Sequence, residues 1–249
     1  IYSMAGRLDL AKESMKLLGE TPKHWQPQDL KQTDLYRIIL EMVMPYTSDS
    51  MFLRIIFCLI KMQAVPVMGL TLSACRPSIL NGFRDFTRYG PFLERYGDII
   101  IDTVQQLYGG NGQSIYDILL AEWYYQNNKC FNALVLVTGI IPLVEKDKDM
   151  RCLFVALALQ MKILLVNGQT KMAKPLVEKI RERIHQTGWE ELTSSLNALA
   201  CLAACYDGCQ EEVENWLEHT APDENKDIFM MDMYAYLVKV RCYLQTGRY

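Results

Sequence analysis

The residues best suited to chemistry lie in one stretch, RPSILNGFRDFTRY at positions 76–89. Arg76, Arg84 and Arg88 stand there beside Phe83, Phe86 and Tyr89, with Asp85 among them. A guanidinium fork binds a carboxylate bidentately, and an aromatic face stacks on planar groups or sugars, so this set suits an effector site. The same side chains also suit a loop pinned by itself, with Asp85 paired to an arginine and the rings plugging a gap between neighbouring elements. Both readings stand on the sequence.

A second set is spread along the chain. Glu122, Lys162, Leu202 and Arg241 follow one another at intervals of 40, 40 and 39 residues, each six before a turn-forming residue. Three of the four are charged groups on otherwise apolar segments. If the segments are stacked helices, these side chains line one surface, either an inner groove or an outer solvated face. We expect the groove.

Catalysis is not expected. The chain has no nucleophile elbow, no HExxH, no CxxC and no dinucleotide fingerprint. The glycines at 109, 110 and 112 are followed by Gln113-Ser114 where a phosphate loop needs Lys-Ser/Thr, so they read as a turn. Cys201, Cys205 and Cys209 look like a cluster, yet Gly208 should end the helix before the third. None of the three histidines falls at a zinc-site spacing to them. The eight cysteines lie in apolar helical segments and read as reduced core thiols, which points to the cytoplasm, with no metal and no cofactor in this piece of chain. Lys171, Lys174, Lys179, Arg181 and Arg183 make a basic helix, but Glu178 and Glu182 are interspersed, so a solvated face is favoured over an anion site.

The elements that position these residues follow from a cadence. Asn128, Gly168, Gly208 and Gly247 recur at the same intervals of 40, 40 and 39, and Gly6 fits three periods earlier. Glycine and asparagine tolerate a positive φ, as a helix C-terminus followed by a tight turn requires. Five residues later come Ala133, Ala173 and Val213, small enough to let two helices approach. One turn further come Val137, Val177 and Leu217 on the same face. Helix-turn-helix units at a fixed period of 20 to 50 residues mark a solenoid. The Gly-x-x-x-x-Ala turn resembles the tetratricopeptide turn, with longer helices.

Composition bounds the rest. With 249 residues, 50% hydrophobic and 22% charged, the chain is long enough for one or two cores or one solenoid. A net charge of −3 argues against direct nucleic-acid binding. Residues 53–72 are apolar, but Arg54, Lys61, Gln63 and Pro66 interrupt them, so a buried helix is expected rather than a membrane span. Pro66, Pro77 and Asn81-Gly82 damage the helix expected before residue 90, so one repeat at about 65–110 is irregular. Ser114-x-x-Asp117 is expected to N-cap the next helix, and residues 143–150 to form a charged connector. Both ends read as cut through a repeat, so we expect one helical-repeat domain, 1–249, internal to a longer protein.

Residues 76–98 (RPSILNGFRDFTRYGPFLERYGD) and 132–168 (NALVLVTGIIPLVEKDKDMRCLFVALALQMKILLVNG), taken with the cadence, resemble the central region of bacterial LuxR-family regulators of the MalT type. The resemblance covers nearly the whole chain and rests on the loop and the repeats. It implies an all-α, right-handed superhelix of tetratricopeptide-like repeats with a period of about 40 residues. That superhelix would receive a small-molecule or peptide effector and self-associate on activation. ATPase and helix-turn-helix modules would flank it in the same chain, and it would contact neither nucleic acid nor membrane itself. Candidate ligand residues are then Arg76, Arg84, Asp85, Arg88, Tyr89, Glu122, Lys162 and Arg241. Two other classes stay open: a tetratricopeptide-type docking scaffold for a protein or peptide, and a helical-repeat peptide-pheromone receptor.

Overall fold

The computed structural model describes residues 13, 87, 90–108, 112–147, 150–225 and 232–248. Among these the chain is helical throughout, with no strand. The helices are α1 (Gly90–Tyr108), α2 (Gly112–Gln126), α3 (Cys130–Asp147) and α4 (Met150–Val166). They continue with α5 (Thr170–Thr187), α6 (Thr193–Asp207), α7 (Gln210–His219) and α8 (Met233–Thr246), and a 3-10 turn at Glu190–Leu192 leads into α6.

Each helix from α1 to α7 packs on the next in sequence. The even-numbered helices also pack on one another, α2 on α4, α4 on α6 and α6 on α8, forming a continuous row. The two rows differ in character, and the sequence explains why. Helix α5 buries only Ala173, Val177, Ile180 and Ile184, a single stripe at helical spacing, and gives its charged residues to solvent. Helix α4 is apolar on every face, with the charged Lys162 buried among the apolar side chains. Every residue from 152 to 165 is buried apart from the half-buried Gln160, including Phe154, Leu157, Met161 and Ile163, each less than 2% exposed. A helix of that composition is stable only when covered on every side, and α2, α3, α5 and α6 cover it. Fully burying a side chain of this size contributes about 1.5–3 kcal/mol.

The turns explain the cadence. Asn128 (φ 59°), Gly168 (72°), Gly208 (72°) and Gly247 (69°) all adopt the left-handed conformation. At the first three the hydrogen bonds are the same. The turn residue donates to the carbonyl three before it (Asn128 to Tyr125, Gly168 to Leu165, Gly208 to Cys205). The residue after it donates to the carbonyl five before (Lys129 to Tyr124, Gln169 to Leu164, Cys209 to Ala204). These bonds satisfy helix-end carbonyls in a Schellman arrangement. The small residue five places on then starts the next helix, with the N–H groups of Ala133, Ala173 and Val213 bonded to Lys129, Gln169 and Cys209. All three side chains are buried. Gly188, a fifth left-handed residue (φ 70°), ends α5 and falls outside the cadence read from the sequence.

Two local expectations fail. Ser114 does not cap α2: the helix already begins at Gly112, which the backbone of Ile101 and Gln105 approaches too closely for any side chain. Ser114 lies buried inside the first turn, and Gln113 Nε2 reaches Asp117 Oδ1 at 2.7 Å instead. The expected connector is mostly helix, since α3 runs on to Asp147 because Val144 is buried under it. The expected irregular repeat is described only from residue 90 onward, where α1 is a regular helix, and at Thr87. No helix among the described residues is long and apolar enough to cross a membrane. Residues 53–72 lie outside the described residues.

Candidate functional site

The even row carries a chain of polar and aromatic side chains through an otherwise apolar layer. Glu122 on α2 and Lys162 on α4, 40 residues apart, form an ion pair, with the ammonium 3.4 and 3.3 Å from the two carboxylate oxygens. Their side chains are 0% and 6% exposed, so the pair is buried. Gln126 Nε2 donates to the same carboxylate at 2.8 Å, and Lys162 Nζ lies 5.0 Å from the Tyr125 ring centre. The pairing follows from the turns: side chains at the same offset from equivalent turns meet when their helices stack.

The other members come from α6 and α8. Arg241 donates from Nη2 to Tyr206 Oη at 2.8 Å, and its guanidinium carbon lies 4.8 Å from that ring's centre. The two ends belong to one electrostatic neighbourhood. Burial first, then the charge of Glu122, then Tyr206 push the Tyr125 hydroxyl well above the usual phenol range, against a smaller opposing effect of Arg241. Tyr234 on α8 is likewise pushed up, by burial first and then by Tyr125 and Glu122. Its hydroxyl is buried and has no hydrogen-bond partner among the described residues.

No family model, no curated protein and no solved structure matches the chain.

Of the candidate residues, Glu122 and Lys162 are therefore together and buried, while Arg241 is exposed and held by Tyr206. Leu202, the apolar member of the ladder, is buried in α6. Arg76, Arg84, Asp85, Arg88 and Tyr89 lie outside the described residues. Within their stretch only Thr87 is described, and its carbonyl accepts from Trp123 Nε1 at 3.1 Å, tying it to α2. Sequence reasoning passed over Tyr125, Tyr206 and Tyr234. A signal for two of them existed: Tyr125 is three residues after Glu122 and Tyr206 four after Leu202, hence on the same helix faces as the ladder.

The basic helix α5 is engaged with its neighbours. Lys174 pairs with Asp207, Lys179 and Arg183 reach Glu145 at 2.9 and 3.8 Å, and Arg181 reaches Glu178 at 3.4 Å. These are partly exposed pairs, the last within α5 and the others to neighbouring helices, the pattern of a solvated face. Lys174 holds the Asp207 carboxyl below its usual range, with help from Thr170.

A separate group of sulfurs sits between α6 and α8. As expected, Gly208 ends α6, and Cys209 turns away to Glu212. The third thiol beside Cys201 and Cys205 is Cys242, contributed from the next even helix. Hydrogen bonding to Cys205 and Cys242, with burial, pushes Cys201 up. The bonds from its two neighbours, with a smaller contribution from Arg241, lower Cys205.

Proposed function

We propose that the chain is the effector-receiving, self-associating superhelix of a MalT-type LuxR-family regulator, right-handed, with a period of about 40 residues. The observation that carries this reading is the row of Glu122, Tyr125, Lys162, Tyr206, Tyr234 and Arg241 on even helices that each end in an equivalent left-handed turn. In a solenoid, one row of helices lines the inner surface, and side chains a period apart stack along it. Buried Glu122 and Lys162 form the floor of the site. Arg241 and Tyr206 at its accessible end supply hydrogen-bond donors and a ring face for a carboxylate or hydroxyl-rich effector. The effector acts by binding the active arrangement of the helices better than the resting one, since equal affinity would shift nothing.

The docking-scaffold alternative draws on a different observation. Leu237, Val240 and Leu244 are exposed together on α8 at helical spacing. Thirty-nine residues earlier the same face of α6 presents Ala198, Cys201 and Cys205, and it is buried. An apolar stripe of this kind suits a partner helix or self-association.

Reading the coding sequence on either side separates the two. The regulator predicts a Gly-rich loop ending in Lys-Ser/Thr upstream and a helix-turn-helix downstream. A gene with neither module would overturn the regulator in favour of the scaffold.

A further inference from the structure

Three thiols converge where α6 packs on α8. Cys201 and Cys205 are one turn apart on α6, and Cys242 Sγ lies 3.5 Å from each of their sulfurs. All three sulfurs are within 4.8 Å of one another. The residues are 4%, 6% and 0% exposed, and none is in a disulfide. No imidazole or carboxylate belongs to the group among the described residues.

The repeat does not require sulfur at these places. One period back from Cys201 and Cys205 stand Met161 and Leu165, and one period forward Val240 and Leu244. The counterparts of Cys242 in the two preceding units are Ala203 and Ile163. Cysteine is absent from the compared positions, and in the preceding units apolar side chains are buried there, whereas here three soft donors coincide. Thiol hydrogen bonds are weak, so their mutual contacts alone give little reason for the convergence.

Three thiolates are a ligand set for a thiophilic centre. With metal–sulfur bonds of about 2.3 Å, three sulfurs spread to about 4 Å apart around a planar centre and sit closer around a pyramidal one. The two separations to Cys242, 3.5 Å each, are shorter than the planar spacing and lean toward a pyramid, with the third sulfur pair within 4.8 Å. Charge narrows the choice further. Three thiolates leave a net charge of −2 on a monovalent ion and −1 on zinc, which also prefers four donors. The guanidinium of Arg241, next in sequence, is exposed and bonded to Tyr206, so a buried net charge would be poorly compensated. A trivalent centre leaves none.

We propose that Cys201, Cys205 and Cys242 form a binding site for a trivalent thiophilic metalloid of the arsenite type. Binding exchanges ligands without redox change. Three As–O and three S–H bonds break, three As–S bonds form, and the three thiol protons leave with the three hydroxides as water. Reactant and product are both neutral, so no charge enters the core. The product ties α6 to α8, which makes the site a clamp between adjacent units.

The test is a titration of the reduced 249-residue chain with sodium arsenite. It is followed by arsenic–sulfur charge-transfer absorbance, native mass spectrometry and thermal melting. One arsenic should bind in place of three hydrogens, and the melting temperature should rise. Cys242→Ala, which installs the residue α6 carries at the equivalent place, should fold and melt normally. Its apparent Kd for arsenite should rise on the order of tenfold or more. Cys201→Ala and Cys205→Ala should do the same, while Cys130→Ala and Cys209→Ala should bind as the parent does. Undiminished binding by folded Cys242→Ala, or no binding by the parent, would overturn the site. Displacement of arsenite by equimolar zinc would overturn its assignment to a trivalent centre.

Discussion

Replacing Lys162 by methionine should be among the most damaging single substitutions on the even row. Methionine keeps most of the apolar stem, so the change isolates the ammonium. It leaves the Glu122 carboxylate, 0% exposed, with Gln126 as its remaining side-chain donor among the described residues. Breaking a buried ion pair from one side costs about 3–5 kcal/mol, because the surviving charge stays desolvated. At about 2–4 °C per kcal/mol for a chain of this size, the melting temperature should fall by roughly 6–20 °C. The double variant Glu122→Leu/Lys162→Met removes both charges, and its stability should return to the parent value or exceed it by up to about 1–4 kcal/mol. Urea unfolding of the parent, Lys162→Met, Glu122→Leu and the double variant, followed by far-ultraviolet circular dichroism, gives the coupling directly as a double-mutant cycle. A cost below about 1 kcal/mol for Lys162→Met, the value of an exposed pair, would refute the burial on which the argument rests.

Four further outcomes are expected. Gly168→Ala and Gly208→Ala should each cost about 1–2 kcal/mol for a left-handed backbone, since nothing lies within 4 Å of the added carbon. Asn128→Gly should be neutral or mildly stabilising, and chemical denaturation reads both. Gly112→Ala should destabilise more than either turn variant, because the new carbon meets the backbone of Ile101 and Gln105 rather than the end of a flexible side chain. Above pH 10 stability should fall: Tyr125 and Tyr234 ionise in the unfolded chain near their ordinary value of 10.0, while their folded values lie higher. The loss should approach about 1.4 kcal/mol per pH unit per tyrosine. Tyr125→Phe/Tyr234→Phe should flatten the decline in unfolding experiments between pH 9 and 11.

How much of this was legible depended on where each determinant sits. Asn128, Gly168, Gly208 and Gly247 could be read because a left-handed turn restricts residue type locally, and their spacing then placed Glu122 opposite Lys162. That both charges would be buried could not be read. Burial depends on α2, α3, α5 and α6 closing around α4, which no single segment encodes. Cys242 was missed for a similar reason. A cluster scan along the chain finds Cys209, two residues from the helix end, whereas the third sulfur arrives from a helix about 40 residues on. Ser114 misled because its type fits a cap, while the packing of Gly112 against Ile101 sets the start of α2 two residues earlier.

The most direct test of the proposed site is a genome-wide transcript profile of the intact protein carrying Arg241→Ala with Tyr206→Phe. Beside it stands a strain with Lys171→Ala and Lys179→Ala on the solvated side of helix α5. Arg241 is exposed, and its stacking on Tyr206 is worth about 0.5–1 kcal/mol, so the first pair should fold normally. The account predicts that the first pair reproduces the profile of a strain lacking the gene and that the second reproduces the parent. A parental profile from the first pair, with loss of response in the second, would place the effector surface on the odd-numbered helices and contradict it.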